Sequence, residues 1–442
     1  MRAMKDSGIP WIGEIPKEWT IGRMKNYFHL HGRIGWNGLR SEEFEEESYA
    51  YLITGQDFVA KDIDWKKCYQ IRKERYDEDE YIQLKEGDIL VTKDGTIGKV
   101  AIVSNLDKPA CLNSGIFVIK QYEPKHYNSN YLYWLLVAPL LKTYNDFINL
   151  GGTTIIHLYQ NVFERMPLVL PLLAEQQAIA DFLDRKCAEV DEMIALQEQI
   201  IEELKAYKQS VITEAVTKGL NPAAPMRDSE IVFVDKIPSH WKETKTLRLL
   251  SMPITDGPHE TPDGLDGGIP FISADAVSDG YINFDNKWGY ISQKYYEECC
   301  KKYIPQKYDI YMIKSGASTG RTAIVETDEI FTIWSPLAVF RANKNIILPY
   351  FLLYVLRSDY YQKQVENKWS FGTQQNIGMR VLEKLLISYP PITEQQAIAD
   401  YLDKKCGEID ELIAIKQSKI DSLKEYKKSI IYEYVTGKRE VE

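Results

Sequence analysis

One stretch occurs twice in this chain and limits what it can fold into. Glu175-Gln-Gln-Ala-Ile-Ala-Asp181 opens a polar–apolar segment running to about Val216, and Glu394-Gln-Gln-Ala-Ile-Ala-Asp400 opens another running to about Val435. Aligned at an offset of 219, roughly 26 of the 45 columns from Glu175 onward are identical, which marks an internal duplication. Apolar residues recur at helical spacing in both copies: Phe182, Leu183, Val190, Ile194, Ile201, Leu204 and Val211 in the first, Tyr401, Leu402, Ile409, Ile413, Ile420, Leu423 and Ile430 in the second. Only Gly407 interrupts the pattern. A helix of about 43 residues rises about 65 Å, longer than most single domains are wide, and cannot bury its apolar stripe alone. The most economical partner is its own copy.

Each helix start is marked by proline, Pro171 in one copy and Pro390-Pro391 in the other. Thr393 is expected to act as N-cap, with Gln396 at capping-box spacing; Ala174 stands in its place in the first copy, so that helix is expected to start less sharply.

The duplication extends past the helices. Met4-Lys-Asp-Ser7 and Ile15-Pro16-x-x-Trp19 match Met226-Arg-Asp-Ser229 and Ile237-Pro238-x-x-Trp241 at an offset of 222. Asp88 to Gly95, Gly98 and Ala101-Ile-Val103 correspond to Asp309 to Gly316, Gly320 and Ala323-Ile-Val325. Short runs rich in branched and aromatic residues, such as Ile89 to Thr92 and Gly115 to Lys120, predict strands between turns. Tyr131 to Leu136 and Pro349 to Leu356 predict one buried helix in each copy.

The expected architecture is α+β: globular domains at 1–170 and 219–389, and long helices at 171–218 and 390–442. Because each copy faces an equivalent surface, the helices should pair antiparallel about a pseudo-two-fold axis. Thr217 to Asp228 reads as a linker.

Composition narrows the function. The first residues, MRAMKDSGIPW, have no apolar core, and the longest apolar run, Leu132 to Leu141, is broken by Pro139, so neither a signal peptide nor a membrane span is expected. Six Cys without a Cys-x-x-Cys pair suit a reducing cytoplasm; Cys187 and Cys406 share a column and read as core-facing. A net charge of −10 argues against a free-standing DNA binder, so DNA contact is expected through local clusters or with a basic partner.

Catalytic constellations are not found. Pro390-Pro391 lacks the polar residue and aromatic ring that an adenine methyltransferase loop needs. Gly95-Thr-Ile-Gly-Lys99 has neither the spacing nor the Ser/Thr of a phosphate loop, and the six His show no metal-ligand spacing. What remains is a set of polar, Gly-punctuated loops at matching places. In the first domain they carry Arg33, Trp36, Asn37 and Arg40, then Lys93, Thr96 and Lys99, then Thr153 and Thr154. In the second they carry His259 and Thr261, then Lys314, Ser315, Ser318, Thr319 and Arg321, then Thr373, Gln374, Gln375 and Asn376. Backbone amides with Ser, Thr and Lys suit phosphate oxygens, and Arg, Asn and Gln can read base edges in the major groove. No cofactor or metal is expected in this chain.

These residues resemble the DNA-specificity subunit of type I restriction-modification systems. The likeness rests on Asp6-Ser-Gly-Ile-Pro-Trp-Ile-Gly-Glu-Ile-Pro-Lys-Glu-Trp19, on Pro171-Leu-Leu-Ala-Glu-Gln-Gln177 with its copy Pro390-Pro-Ile-Thr-Glu-Gln-Gln396, and on Thr217-Lys-Gly-Leu-Asn-Pro222. It implies two target-recognition domains that each read half of an asymmetric, interrupted double-stranded DNA site, with a helical spacer between them. It further implies a non-catalytic subunit joined by two modification subunits, which bring S-adenosylmethionine, and in restricting systems by two restriction subunits, which bring ATP and Mg. One departure is Glu230-Ile-Val-Phe-Val-Asp235 in place of Gly8-Ile-Pro-Trp-Ile-Gly13, from which looser docking of the second copy is expected. The competing reading is a coiled-coil adaptor whose globular ends bind proteins.

Overall fold

A computed structural model describes residues 2–33, 39–123, 125–148, 157–371 and 375–441. The chain divides into two compact units, Met1–Gln197 with Ser418–Glu442, and Glu198–Gln417. The long helices span Leu173–Lys218 and Ile392–Val435, so each unit contains the beginning of one and the end of the other.

Within each unit the two helical segments run antiparallel. In the first, the Phe182 and Tyr434 rings lie 4.3 Å apart, and further along Lys427 Nζ donates to Asp191 Oδ1 at 2.7 Å. In the second, Lys208 Nζ donates to Asp410 at 2.8 Å. Asp191 and Asp410 share a column of the repeat, as do Lys208 and Lys427, so both units make one pairing with the copies exchanged. The apolar stripe closes beneath these pairs. Ile179, Leu183 and Cys187 pack with Ile430, Ile431 and Val435, and Val211, Ile212 and Val216 pack with Ile398, Leu402 and Cys406.

The helix starts differ from the capping expectation. Both begin at the same column, and Thr393 lies inside the first turn because Pro391 O already accepts from Glu394 N and Gln395 N at 3.0 Å. The end is organised instead by the buried amides of Gln176 and Gln395. Gln176 Nε2 donates to His126 O at 2.9 Å and Pro171 O at 3.0 Å, while its Oε1 accepts from Asn128 N at 2.8 Å. Gln395 repeats this with Ile346 O, Pro390 O and Leu348 N. Beside them Trp19 Nε1 donates to Glu175, and Trp241 Nε1 to Glu394, both at 3.0 Å. Carboxylates in a first turn also suit the positive end of the helix dipole.

Asn128 and Leu348 cap the predicted buried helices, Ser129–Val137 and Pro349–Arg357. Each lies on a sheet that is antiparallel throughout, except that the edge strand Gly280–Tyr281 of the second unit runs parallel to its neighbour. In the first unit the strand order is Val100–Ile102, Ile89–Thr92, Ile116–Gln121, Phe28–His31; in the second it is Thr255–Asp256, Leu337–Phe340, Ile310–Ile313, Thr322–Ile324, Gly280–Tyr281. A three-stranded sheet packs against the other face. Its middle strand, Ala50–Ile53 or Ile269–Ile272, has one parallel neighbour and one antiparallel neighbour in both units. Antiparallel pairing of Thr20–Arg23 with Pro167–Leu170, and of Lys242–Lys245 with Leu386–Tyr389, closes each globular segment next to a long-helix start.

The second linker repeats the backbone turn of the first but docks with fewer bonds, as expected: Tyr432 Oη donates to Trp11 O at 3.0 Å and Lys438 Nζ to Ile12 O at 2.7 Å, and among the described residues the second linker has no matching bond to a long helix. Ser7 N donates to Gly13 O and Ile12 N to Ile9 O, as Ser229 N does to Asp235 O and Val234 N to Ile231 O, all within 3.0 Å. Ile231 and Val234 are buried like Ile9 and Ile12; Val232, where the first copy has Pro10, is turned to solvent. Among the described residues no helix is long and apolar enough to cross a membrane.

Replacing Gln395 with Leu leaves the Leu348 N–H and two carbonyls without a partner inside the domain. The expected cost is about 1–3 kcal/mol, read as a lowered midpoint in denaturant unfolding of the full chain.

Candidate nucleic-acid interface

In each unit the described ends of the neighbouring polar segments meet the middle loop. In the first, residues 93–99 form a tight loop between strands Ile89–Thr92 and Val100–Ile102. Thr92 holds it from within: its N–H donates to Lys99 O at 3.0 Å, its carbonyl accepts from Gly98 N at 3.0 Å, and its hydroxyl donates to Thr96 O at 2.5 Å. Gly98 adopts φ +81°, the left-handed conformation that closes the loop and that side chains resist. Lys93 O accepts from Leu158 N at 3.1 Å, and Asp94 Oδ1 lies 2.6 Å from His157 Nδ1, which brings the segment after residue 156 against the loop. A Cβ on Gly32 would lie 3.3 Å from Lys93 Nζ, so the entry to the 33–40 loop adjoins it as well.

The second unit repeats the frame with one more residue in the loop. Ile313 N donates to Arg321 O at 2.9 Å, and Gly320 N, at φ +94°, donates to Ile313 O at 2.8 Å. Lys314 O accepts from Ile377 N at 2.9 Å, and Gly316 N donates to Gln375 O at 3.0 Å. Asp256 occupies the register position that Gly32 holds in the first unit, since Asp256 pairs with Ala338 beside Thr255–Val339 as Gly32 follows the His31–Val118 pair.

That exchange of Gly for Asp changes the electrostatics. Among the described residues Lys93 faces no carboxylate across the sheet; its Nζ sits 4.9 Å from the Phe117 ring centroid, a cation–π contact, and burial pushes its pKa down against the nearby Asp94 charge. Lys314 Nζ lies 3.0 Å from Asp256 Oδ2, Lys302 bonds the other oxygen, and His259 Nε2 stands 3.3 Å away. Burial opposes ionisation of Asp256, but the bonds from Lys302 and Lys314, with their charge, hold its carboxyl below the usual range.

The remaining candidates are placed as follows. Arg33 is 2% exposed; its Nε donates to Leu112 O at 3.0 Å and its Nη2 lies 3.5 Å from Cys111 Sγ, so the guanidinium is turned into the domain rather than to the surface. Arg40 is exposed and its N–H caps the turn Ser41–Glu43 through the Glu43 carboxylate. Thr96, Lys99, Thr261 and Arg321 are exposed, as is the His259 side chain; Ser315, Ser318 and Thr319 are half-buried, and Thr319 Oγ1 donates to Gly316 O at 2.7 Å. Gln375 and Asn376 form a short strand against Ser370–Phe371. Trp36, Asn37, Thr153, Thr154, Thr373 and Gln374 lie outside the described residues.

Lys302, Asp94 and His157 join the site without a signal in the sequence. Lys302 follows the helix Gln293–Cys300, far along the chain from Asp256, and nothing in local spacing links the two. In the second copy Ser315 and Asn376 stand in the places of Asp94 and His157 and meet as a backbone bridge, so the duplication does not flag a carboxylate–imidazole pair there.

The chain matches the type I restriction modification DNA specificity domain over residues 16–206 and 261–425, which covers most of both globular segments and of both long helices. It belongs to this family. It is 29% identical over 317 residues to the EcoBI specificity subunit of Escherichia coli, an alignment covering 70% of this chain and 65% of that one. It is 25% identical over 433 residues to the MjaVIII specificity subunit of Methanocaldococcus jannaschii, covering 96% and 93%. Two solved structures share the fold. One, from work on complex assembly and conformational transition of the type I R-M system, has a TM-score of 0.71 at 17% identity and covers 96% of this chain and 99% of that one. The other, the HsdS subunit from Thermoanaerobacter tengcongensis, has a TM-score of 0.50 at 16% identity and covers 96% and 98%. The chain is a specificity subunit, and recognition of DNA sequence is its function. The reading as a general coiled-coil adaptor is set aside.

The depressed Asp256 pKa gives a signed expectation. Its ionised form contributes stability above the ordinary carboxylate pKa of about 3.9, and that contribution is lost as pH falls through the lower folded value. Asp256→Asn should therefore melt below the wild type at neutral pH, and the gap should shrink under acid conditions. Thermal unfolding across pH checks this.

Proposed function

We propose that this chain reads an interrupted, asymmetric duplex site, with one half read by each globular segment and no catalysis of its own. The observation that carries this is the repetition of one loop frame with different side chains: Gly32, Asp94 and His157 in the first unit stand where Asp256, Ser315 and Asn376 stand in the second. Backbone bonds position the loops alike, and the side chains on them differ, so the two halves should be read as different sequences.

The net charge of −10 supports a reader that works inside an assembly, where basic partner surfaces help to enclose the duplex. Two modification subunits, binding S-adenosylmethionine and methylating adenine, and restriction subunits using ATP and Mg, would supply the chemistry. The equivalent helix starts of the two units offer two equivalent places for the modification subunits. The long helices, each beginning in one unit and ending in the other, would set the spacing between half-sites.

Two outcomes test this in the assembled enzyme. Where Lys93 or Lys99 touches a base edge, its replacement by Ala should weaken specific binding by about 1–3 kcal/mol; where it touches a phosphate, the slope of affinity against salt should fall by about one. The double replacement should relax only one half-site. Unchanged gel-shift titrations at several salt concentrations would remove the loop from the interface. Deleting residues 196–202 together with 415–421 removes about 10 Å from each helix, and base-resolution mapping of adenine methylation should then show a spacer about three base pairs shorter between unchanged half-sites.

A further inference from the structure

The first unit contains an open groove of about 930 Å³ between the loop at Gly95–Gly98, the helices Ser129–Val137 and Leu140–Ile148, and the paired long helices. Its floor is apolar, including Val137, Pro139, Ile194 and Ile431, and its rim holds four lysines, at 142, 424, 427 and 428, against Asp146 and Asp191. None of this belongs to the reading loops except Gly95, Ile97 and Gly98 on one wall.

The second unit shows what this place accepts. The columns of Val137, Asp191 and Lys427 are there occupied by Arg357, Asp410 and Lys208. The second unit fills them from its own chain. Asp279 bonds Arg357 Nη2 and lies 3.2 Å from Lys208 Nζ, while Gly280, at φ +92°, passes so close that a Cβ there would stand 2.8 Å from Arg357 Nη1. This turn leads into strand Gly280–Tyr281, laid parallel on Thr322–Ile324. In the first unit the segment beside the equivalent strand, Val100–Ile102, is the hairpin Phe58–Ile63, and its Lys61 bonds Asp184 at 2.8 Å instead. No acidic turn from that hairpin reaches Lys427, whose ion pair among the described residues is with Asp191.

We propose that this groove docks a segment of a partner protein that presents one carboxylate on an apolar turn, once per chain, where the second unit uses its own Asp279. A lysine rim over an apolar floor suits a carboxylate flanked by hydrophobic side chains better than a phosphate backbone, which would leave the floor uncovered. The inference rests on the reading that this chain works with protein partners, and it is independent of which bases the loops read.

The test uses the full chain and a labelled peptide of its own residues 276–284, followed by fluorescence anisotropy. The expected result is saturable one-to-one binding that becomes about tenfold tighter in Val137→Arg, which recreates the Arg357–Asp279 pair. Binding should weaken at least tenfold in Val137→Trp, which fills the groove, and with a peptide carrying Asp279→Asn. Val137 is exposed, and the gain in Val137→Arg cannot arise from unfolding. No saturable binding, or binding indifferent to all three changes, overturns the proposal. So does displacement of the peptide by random-sequence duplex together with weaker duplex binding by Val137→Trp, which would assign the groove to DNA. A chain that binds the peptide as expected but fails in gel shift with its partners present would overturn the DNA-reading model and leave this proposal standing.

Discussion

Two buried glutamine amides set the geometry on which both units are built. A fully buried amide is costly unless its donors and acceptor are all met. Gln176 and Gln395 each give two hydrogen bonds and accept one. Those bonds join three things in each unit: the end of the strand before the long helix, the segment before the buried helix, and the first turn of the long helix. The neighbouring glutamate then receives a tryptophan N–H from the strand-forming arm that precedes the globular segment. The Glu-Gln-Gln run is therefore a joint. It holds a sheet-bearing domain at a set angle on a helix too long to be positioned by its own core.

Above that joint the two units diverge in a graded way. Contacts next to the helix keep their partners even where the residue changes. Trp134 Nε1 donates to Asp184 at 2.8 Å, and at the matching place Tyr354 Oη donates to Asp403 at 2.6 Å. Strand register is kept further out, through the paired and parallel neighbours of the small sheets. At the loop tips only the backbone frame survives. Variation thus rises with distance from the joint, as expected where the frame holds the fold and the tips face a ligand.

Much of this is legible in the sequence because duplication doubles every periodic signal. The long helices, their antiparallel pairing, the buried helices and the matching loops all follow from columns that repeat. Sequence and structure part where a side chain's role depends on a distant neighbour. Thr393 has the character of a cap, but Pro391 already supplies the first acceptor. Arg33 has the character of a reading residue, yet a strand-end carbonyl 79 positions away draws it inward. Lys302 and Asp256 meet only because the fold lays a helix end over an edge strand. The linker change at residues 230–235 keeps the backbone turn, which Ile, Val and Phe support as well as Pro and Trp, while the bonds from Tyr432 and Lys438 to Trp11 and Ile12 belong to the first copy.

The crosswise pairing of the long helices also bears on how such a chain can change. The aspartate column of each copy is satisfied by the lysine column of the other, as Asp191 with Lys427 and Asp410 with Lys208. A helix is therefore the template for its own duplicate, and drift in either one is felt by both. The globular segments carry no such mutual obligation, since each closes on itself through a single strand pair. Divergence after the duplication is thus channelled into the parts that meet the target, while the two struts are compelled to stay alike.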